Sequence, residues 1–149
     1  MKKFKFTLQA LFKHKLTVEK MQKVELKKAQ QALRELLDEE QRLLNAYAEN
    51  EKSLERALRE NIDVAGALTE HDAYFRYLRE ALKEIKERIV KAEEVVAQCR
   101  QRLIITMKEI KTYEKLREEQ YERYKKEVQA EEDKEIGDLV SFNTITEDN

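Results

Sequence analysis

From residue 75 to residue 113 the chain carries a stripe of positions spaced alternately three and four apart: Phe75, Leu78, Leu82, Ile85, Ile89, Ala92, Val96, Cys99, Leu103, Thr106, Ile110 and Tyr113. Thr106 is its one polar member. A 3.5-residue repeat held over so many turns is the seam of a supercoiled helix, narrower than the buried face of an ordinary globular helix. Upstream, the same spacing selects Leu26, Ala29, Leu33, Leu36, Glu40, Leu43, Tyr47, Asn50, Leu54 and Ala57, with only Glu40 and Asn50 departing from apolar character. Two such seams in one chain can cover each other, provided the chain turns between them.

Composition agrees. The 149 residues include no Pro and two Gly, so turns are scarce. Ala, Glu, Leu, Lys and Arg together make up about 57% of the chain, above the ~50% that marks long helices and coiled coils. Sandwiches, barrels and doubly wound sheets are excluded. Basic residues number 30 and acidic ones 31, for a net charge of -1, so no bulk attraction to nucleic acid or membrane is expected. No stretch approaches the ~20 apolar residues of a membrane span, and Lys5, Lys13 and Lys15 interrupt the apolar run at the start. The single cysteine, Cys99, excludes an intrachain disulfide and fits a reducing, cytoplasmic setting.

Between the stripes lies NIDVAGALTEHD, residues 61–72. Gly66 suits a tight turn and Thr69 is a candidate N-cap. The fold expected is all-α: a long antiparallel two-helix coiled coil, or helical hairpin, turning around Gly66. Its first helix covers about 4–62, its turn about 63–70 and its second helix about 71–134, within a coiled-coil domain 1–136 followed by an acidic tail, 137–149, expected to be frayed or disordered. Each helix would run roughly 55 residues, about 80 Å at 1.5 Å per residue, making a thin rod.

Reflection about Gly66 pairs residues whose numbers sum to 132. Leu54 then meets Leu78, Tyr47 meets Ile85, Leu43 meets Ile89 and Leu33 meets Cys99, every seam position landing on another. The heptad repeat would also accept a register one heptad away. Carried to the chain ends, this register puts Lys15 on Arg117 and Phe12 on Gln120, so Phe4, Phe6, Leu8, Leu11 and Phe12 face only Tyr121, Tyr124 and Val128. Uncovered aromatic and leucine surface marks a partner site. The plainer reading is that the two ends pack on each other, with Tyr121 and Tyr124 as covers. Charge separates along the chain as well: residues 1–28 hold nine lysines against Glu19 and Glu25, while residues 131–149 sum to -6.

Near the turn, Tyr74 and Tyr77 fall off the seam close to Ala81, and Leu37, Leu44 and Leu58 form a second stripe interrupted at Glu51. They either dock a partner or widen the seam. Catalytic and metal signatures are missing: there is no Gly-rich phosphate loop and no paired-cysteine spacing, His14 and His71 lie far apart, and Cys99 reads as buried filler. No enzyme, cofactor or metal site is expected. The lysines of the first segment are interleaved with apolar residues and lack arginine, so nucleic-acid binding is not expected. A membrane-surface helix is a stronger rival, because Phe4, Leu8, Leu11 and Phe12 share a face beside lysines.

Four segments, FKFTLQALFKHK, YFRYLREALKEI, YEKLREEQYERY and KEIGDLVSF, in this order and spacing, resemble the FliJ family, the coiled-coil stalk of the bacterial flagellar type III export apparatus. The resemblance implies a non-catalytic chain that binds the hexameric export ATPase by the end carrying both termini and promotes its assembly and activity. It further implies contact with the export gate membrane protein and with export chaperones, at the cytoplasmic periphery of the inner membrane and without direct membrane insertion. On this sequence the ATPase-binding candidates are Phe4, Phe6, Leu8, Leu11, Phe12, Arg117, Tyr121 and Tyr124, and the export-gate candidates are Tyr74, Tyr77 and Ala81. A generic coiled-coil tether and a virulence-type secretion stalk are the alternatives.

Overall fold

The computed structural model describes residues 3–60 and 63–147. It contains two helices, α1 (Gln9–Glu60) and α2 (Val64–Glu147), and among the described residues no strand. The chain is an all-α helical hairpin. Its residues divide into two compact units, one formed by residues 1–20 with 104–149 and the other by residues 21–103.

In the 21–103 unit every expected seam position is buried or half-buried: Leu26 to Ala57 on α1, and Phe75 to Leu103 on α2. Leu78 is the most deeply enclosed, 1% exposed, with Ile85, Ile89, Val96, Cys99 and Leu103 also in the core. Residues between seam positions are mostly charged and face solvent, with i,i+4 ion pairs such as Arg88 to Glu84. The stripe Leu37, Leu44 and Leu58 is exposed.

The hairpin bends earlier than Gly66. α1 stops at Glu60 and α2 begins at Val64, so the residues from 64 to 70 expected in the turn are helical. Asp63 does the capping. Its φ of 50° places it in the left-handed region, which Asp tolerates better than most residues. Its carboxylate accepts the Gly66 N–H at 3.2 Å and its carbonyl accepts the Ala67 N–H at 3.0 Å, the hydrogen bonds of an N-cap. Gly66 serves close approach: a Cβ there would lie 2.2 Å from an Asp63 carboxylate oxygen. Thr69, expected as N-cap, instead bonds back to the Ala65 carbonyl at 2.9 Å inside the helix.

The earlier bend changes the pairing. Tyr47 packs on Phe75, with ring centroids 4.8 Å apart, rather than on Ile85. Asn50 donates from its side-chain amide to the His71 carbonyl at 3.1 Å, rather than facing Leu82. His71 also lies 3.3 Å from the Ser53 hydroxyl and 2.7 Å from the Ala67 carbonyl. A heptad seam accepts a slip of seven because each position still lands on a seam position: it sets Tyr47 level with Leu78 and Asn50 level with Phe75, about one turn from the contacts made.

In the other unit, residues 3–8 lead into α1, where the Gln9 N–H reaches the Phe6 carbonyl at 3.1 Å. Phe12 meets Tyr113 edge-on at 6.3 Å and Phe4 meets Tyr121 at 5.1 Å. Both pairs sum to 125, one heptad below the 132 of the reflection about Gly66. The tail expected to be disordered is helical to Glu147. Phe4 reaches Tyr121 and Tyr124, and positions 129–145 of α2 are exposed.

Candidate functional site

The slipped register decides which termini residues are available. Phe6 and Phe12 are each 7% exposed and form a core with Ile110, against which Phe4, Leu8, Leu16, Tyr113 and Leu116 pack. The rings of Phe6 and Phe12 meet nearly perpendicular at 6.3 Å, the edge-to-face arrangement that aromatic quadrupoles favour. The expected bare aromatic end is therefore closed. The plainer reading of the sequence, ends packed on each other under Tyr121 and Tyr124, describes this region.

Polar contacts finish the closure. Thr7 and Gln120 exchange hydrogen bonds, the Gln120 amide donating to the Thr7 hydroxyl at 3.1 Å and the Thr7 N–H reaching the Gln120 carbonyl oxygen at 3.4 Å. Lys15 occupies a seam position and forms an ion pair with Glu109. The hydrogen bond to that carboxylate holds the Lys15 ammonium above its ordinary pKa.

A smaller surface is left. Leu11 is 50% exposed and Tyr121 43%, and Arg117 is exposed as well. Phe4, Glu114, Arg117, Glu118 and Tyr121 line an open depression of about 380 Å³, and Arg117 also borders a neighbouring one with Lys5, Phe6 and Gln9. Tyr121 stacks on Tyr124 at 6.3 Å and lies 4.9 Å beneath the Lys125 ammonium, a cation–π contact. Of the eight candidates from the sequence, Phe6 and Phe12 are core and Phe4, Leu8 and Tyr124 half-buried supports. Leu11, Arg117 and Tyr121 are the ones a partner can reach. The same burial weakens the membrane-surface alternative, since of Phe4, Leu8, Leu11 and Phe12 only Leu11 is exposed.

The second candidate site lies in the 21–103 unit. Tyr77 is 64% exposed and stacks on Tyr74 at 6.2 Å, and Ala81 beside them is half-buried. Tyr77, Ala81, Glu80, Glu84 and Arg88 border an open groove with Glu39 and Leu43 of α1. The sequence missed the α1 side of this groove, because the register that puts Leu43 beside Ala81 follows from Asp63 and not from the glycine.

Among the described residues no group of three or more His, Cys, Asp or Glu side chains is placed to hold a metal ion, and no helix is long and apolar enough to cross a membrane. Cys99 is a buried free thiol in the seam.

Comparison with known proteins adds one positive finding. The family model described as flagellar FliJ protein matches residues 4–148. No curated protein and no solved structure gives a match.

Proposed function

Because the chain belongs to the flagellar FliJ family, it is a component of the flagellar protein export apparatus, and we propose that it acts there as a non-catalytic, stalk-like partner of the export ATPase ring. In this reading the unit carrying both termini enters the ring and promotes its assembly and activity. The groove at Tyr77 faces the export gate, and the chain escorts export chaperones at the cytoplasmic face of the inner membrane.

The match over residues 4–148 carries the proposal. The exposed Arg117 and Tyr121, which border one depression with Phe4, give it a concrete contact surface. The mechanism is differential binding. A ring that closes around an asymmetric helical pair gains contacts only in some subunit conformations, so the chain biases assembly and the order of catalytic states without taking part in bond chemistry.

The test is ATP hydrolysis by the cognate export ATPase with and without this chain. Replacing Arg117 by Glu together with Tyr121 by Ser is expected to remove most of the stimulation while leaving helicity unchanged. Phe12→Asp is a poor probe, because Phe12 is core and its loss disrupts the unit itself. Full stimulation by the Arg117/Tyr121 variant would move the ATPase contact elsewhere. Tyr77→Ala is expected to spare ATPase stimulation and to weaken binding to the gate's cytoplasmic portion.

A further inference from the structure

The last stretch of α2 is a helix whose positions 131–145 are all exposed. Residues 131–147 are helical, yet Ile136, Leu139 and Val140 are each about 60% exposed. The segment is a weak helix former, with Gly137 inside it and β-branched Val140, Thr144, Ile145 and Thr146 after it. A helix of this length is marginal in water without packing. Ile136, Leu139 and Val140 share one face, bordered by Asp133 and Glu135, and residues 131–147 hold six acidic side chains against Lys134.

The same unit offers a complementary surface. On the outer side of α1, away from the Phe12 core, Ala10, Lys13, Thr17 and Lys20 are all exposed and repeat at spacings of three, four and three. Small residues alternate with lysines along this second stripe. Residues 3–20 hold five lysines against Glu19. Small side chains let a second helix approach closely, and flanking charges choose the partner and its direction.

We propose that the exposed tail helix of one copy, residues 131–147, docks along the Ala10–Lys13–Thr17–Lys20 stripe of a second copy. Exchanged reciprocally, the two contacts make a closed, isologous dimer. Ile136, Leu139 and Val140 lie over Ala10 and Thr17, while Asp133 and Glu135 meet Lys13 and Lys20. Tail-on-tail pairing is disfavoured because it would bring two acidic helices together. The inference does not depend on the ATPase reading, and it is measured on this chain alone.

Light scattering and sedimentation equilibrium of the full chain test it. A monomer–dimer equilibrium is expected at low salt, shifting to monomer near 1 M salt, where the Debye length falls to about 3 Å. Leu139→Asp is expected to weaken the dimer by roughly tenfold or more, and so is Lys13→Glu with Lys20→Glu. Adding Asp133→Lys and Glu135→Lys to the latter pair should restore it. These positions are exposed, so the hairpin itself is kept, and circular dichroism should lose no more than the helicity of the undocked tail. A chain that stays monomeric to its solubility limit overturns the proposal. So does a dimer indifferent to Leu139→Asp, or a charge reversal that the reciprocal reversal fails to rescue.

Discussion

The 21–103 unit and the unit carrying the termini both pack helix on helix, but they specify the pairing by different means. In the first, Leu78, Ile85, Ile89 and Val96 are aliphatic side chains of similar size, and a repeat of such residues is satisfied equally well one heptad away. Its register is left to Asp63 at the bend and to the polar contacts of Asn50, Ser53 and His71. In the second, Phe12 lies edge-on to both Phe6 and Tyr113, and rings in that geometry fit one register. A uniform seam gives affinity between helices; irregular, shaped contacts give alignment.

The largest expected effect comes from breaking the aromatic cluster. Phe12→Ala should cost about 3–5 kcal/mol, the range for truncating a buried phenylalanine. Hydrogen exchange would then accelerate at residues 8–20 and 106–124 while the amides around Leu78 keep their protection. Leu78→Ala, costing about 2–5 kcal/mol, should show the reverse distribution. If either substitution accelerates exchange equally in both regions, the contrast between the units is wrong.

The next effect is at the bend. Asp63→Ala removes the cap, worth about 1 kcal/mol, and keeps a Cβ in the left-handed region without the local hydrogen bond that lets Asp tolerate it. Asp63→Gly loses the same side chain but fits that backbone, so it should cost only a few tenths of a kcal/mol. Denaturant midpoints of the two variants separate the terms. Equal midpoints would mean that the backbone conformation at Asp63 contributes nothing.

These residues also mark what the sequence made legible. The seam positions could be read in advance because burial follows the 3.5-residue repeat, and each one from Leu26 to Ala57 and from Phe75 to Tyr113 is buried or half-buried. The register could not, because the repeat is blind to a shift of seven. A glycine between two stripes reads as the turn, yet α1 ends at Glu60 and α2 begins at Val64, with Asp63 as its cap. The candidate site inherited that error: Phe6 and Phe12 looked uncovered only because Ile110 and Tyr113 were set against other residues. Of the other candidates, Leu11 and Tyr121 lie off the repeat, where a slip matters less, and Arg117, four residues beyond Tyr113, continues the repeat yet is exposed.

A smaller effect should follow from Asn50→Leu. Asn50 is 9% exposed in the seam, and its amide donates to the His71 carbonyl. A polar seam residue fixes register at a cost in stability. The leucine variant should therefore be more stable, by about 1 kcal/mol, but less well aligned. Spin-label distances across the Tyr47–Phe75 contact would broaden or split toward the Tyr47–Ile85 pairing. A sharp, unchanged distance would show that Asp63 alone sets the register there.

The smallest effect is electrostatic and belongs to the termini unit. Lys15 is a charged residue in a seam position, and its hydrogen bond to Glu109 raises its pKa above the ordinary 10.5. A cation whose folded pKa exceeds its unfolded value contributes stability in full below the unfolded value, and loses it as pH rises through the folded one. Both partners are partly exposed, so solvent screens the pair and the contribution is modest. Lys15→Met keeps most of the apolar stem, which the seam can still bury, and removes only the charge. Urea midpoints of the two proteins should therefore differ at neutral pH and converge in strongly alkaline solution, once the wild-type lysine has lost its proton. If the difference persists unchanged there, the stem and not the ammonium holds Lys15 in place. The Asn50 contact in the other unit joins an amide to a backbone carbonyl, neither of which titrates in this range. The pH dependence therefore separates an alignment contact made by charge from one made by a neutral hydrogen bond.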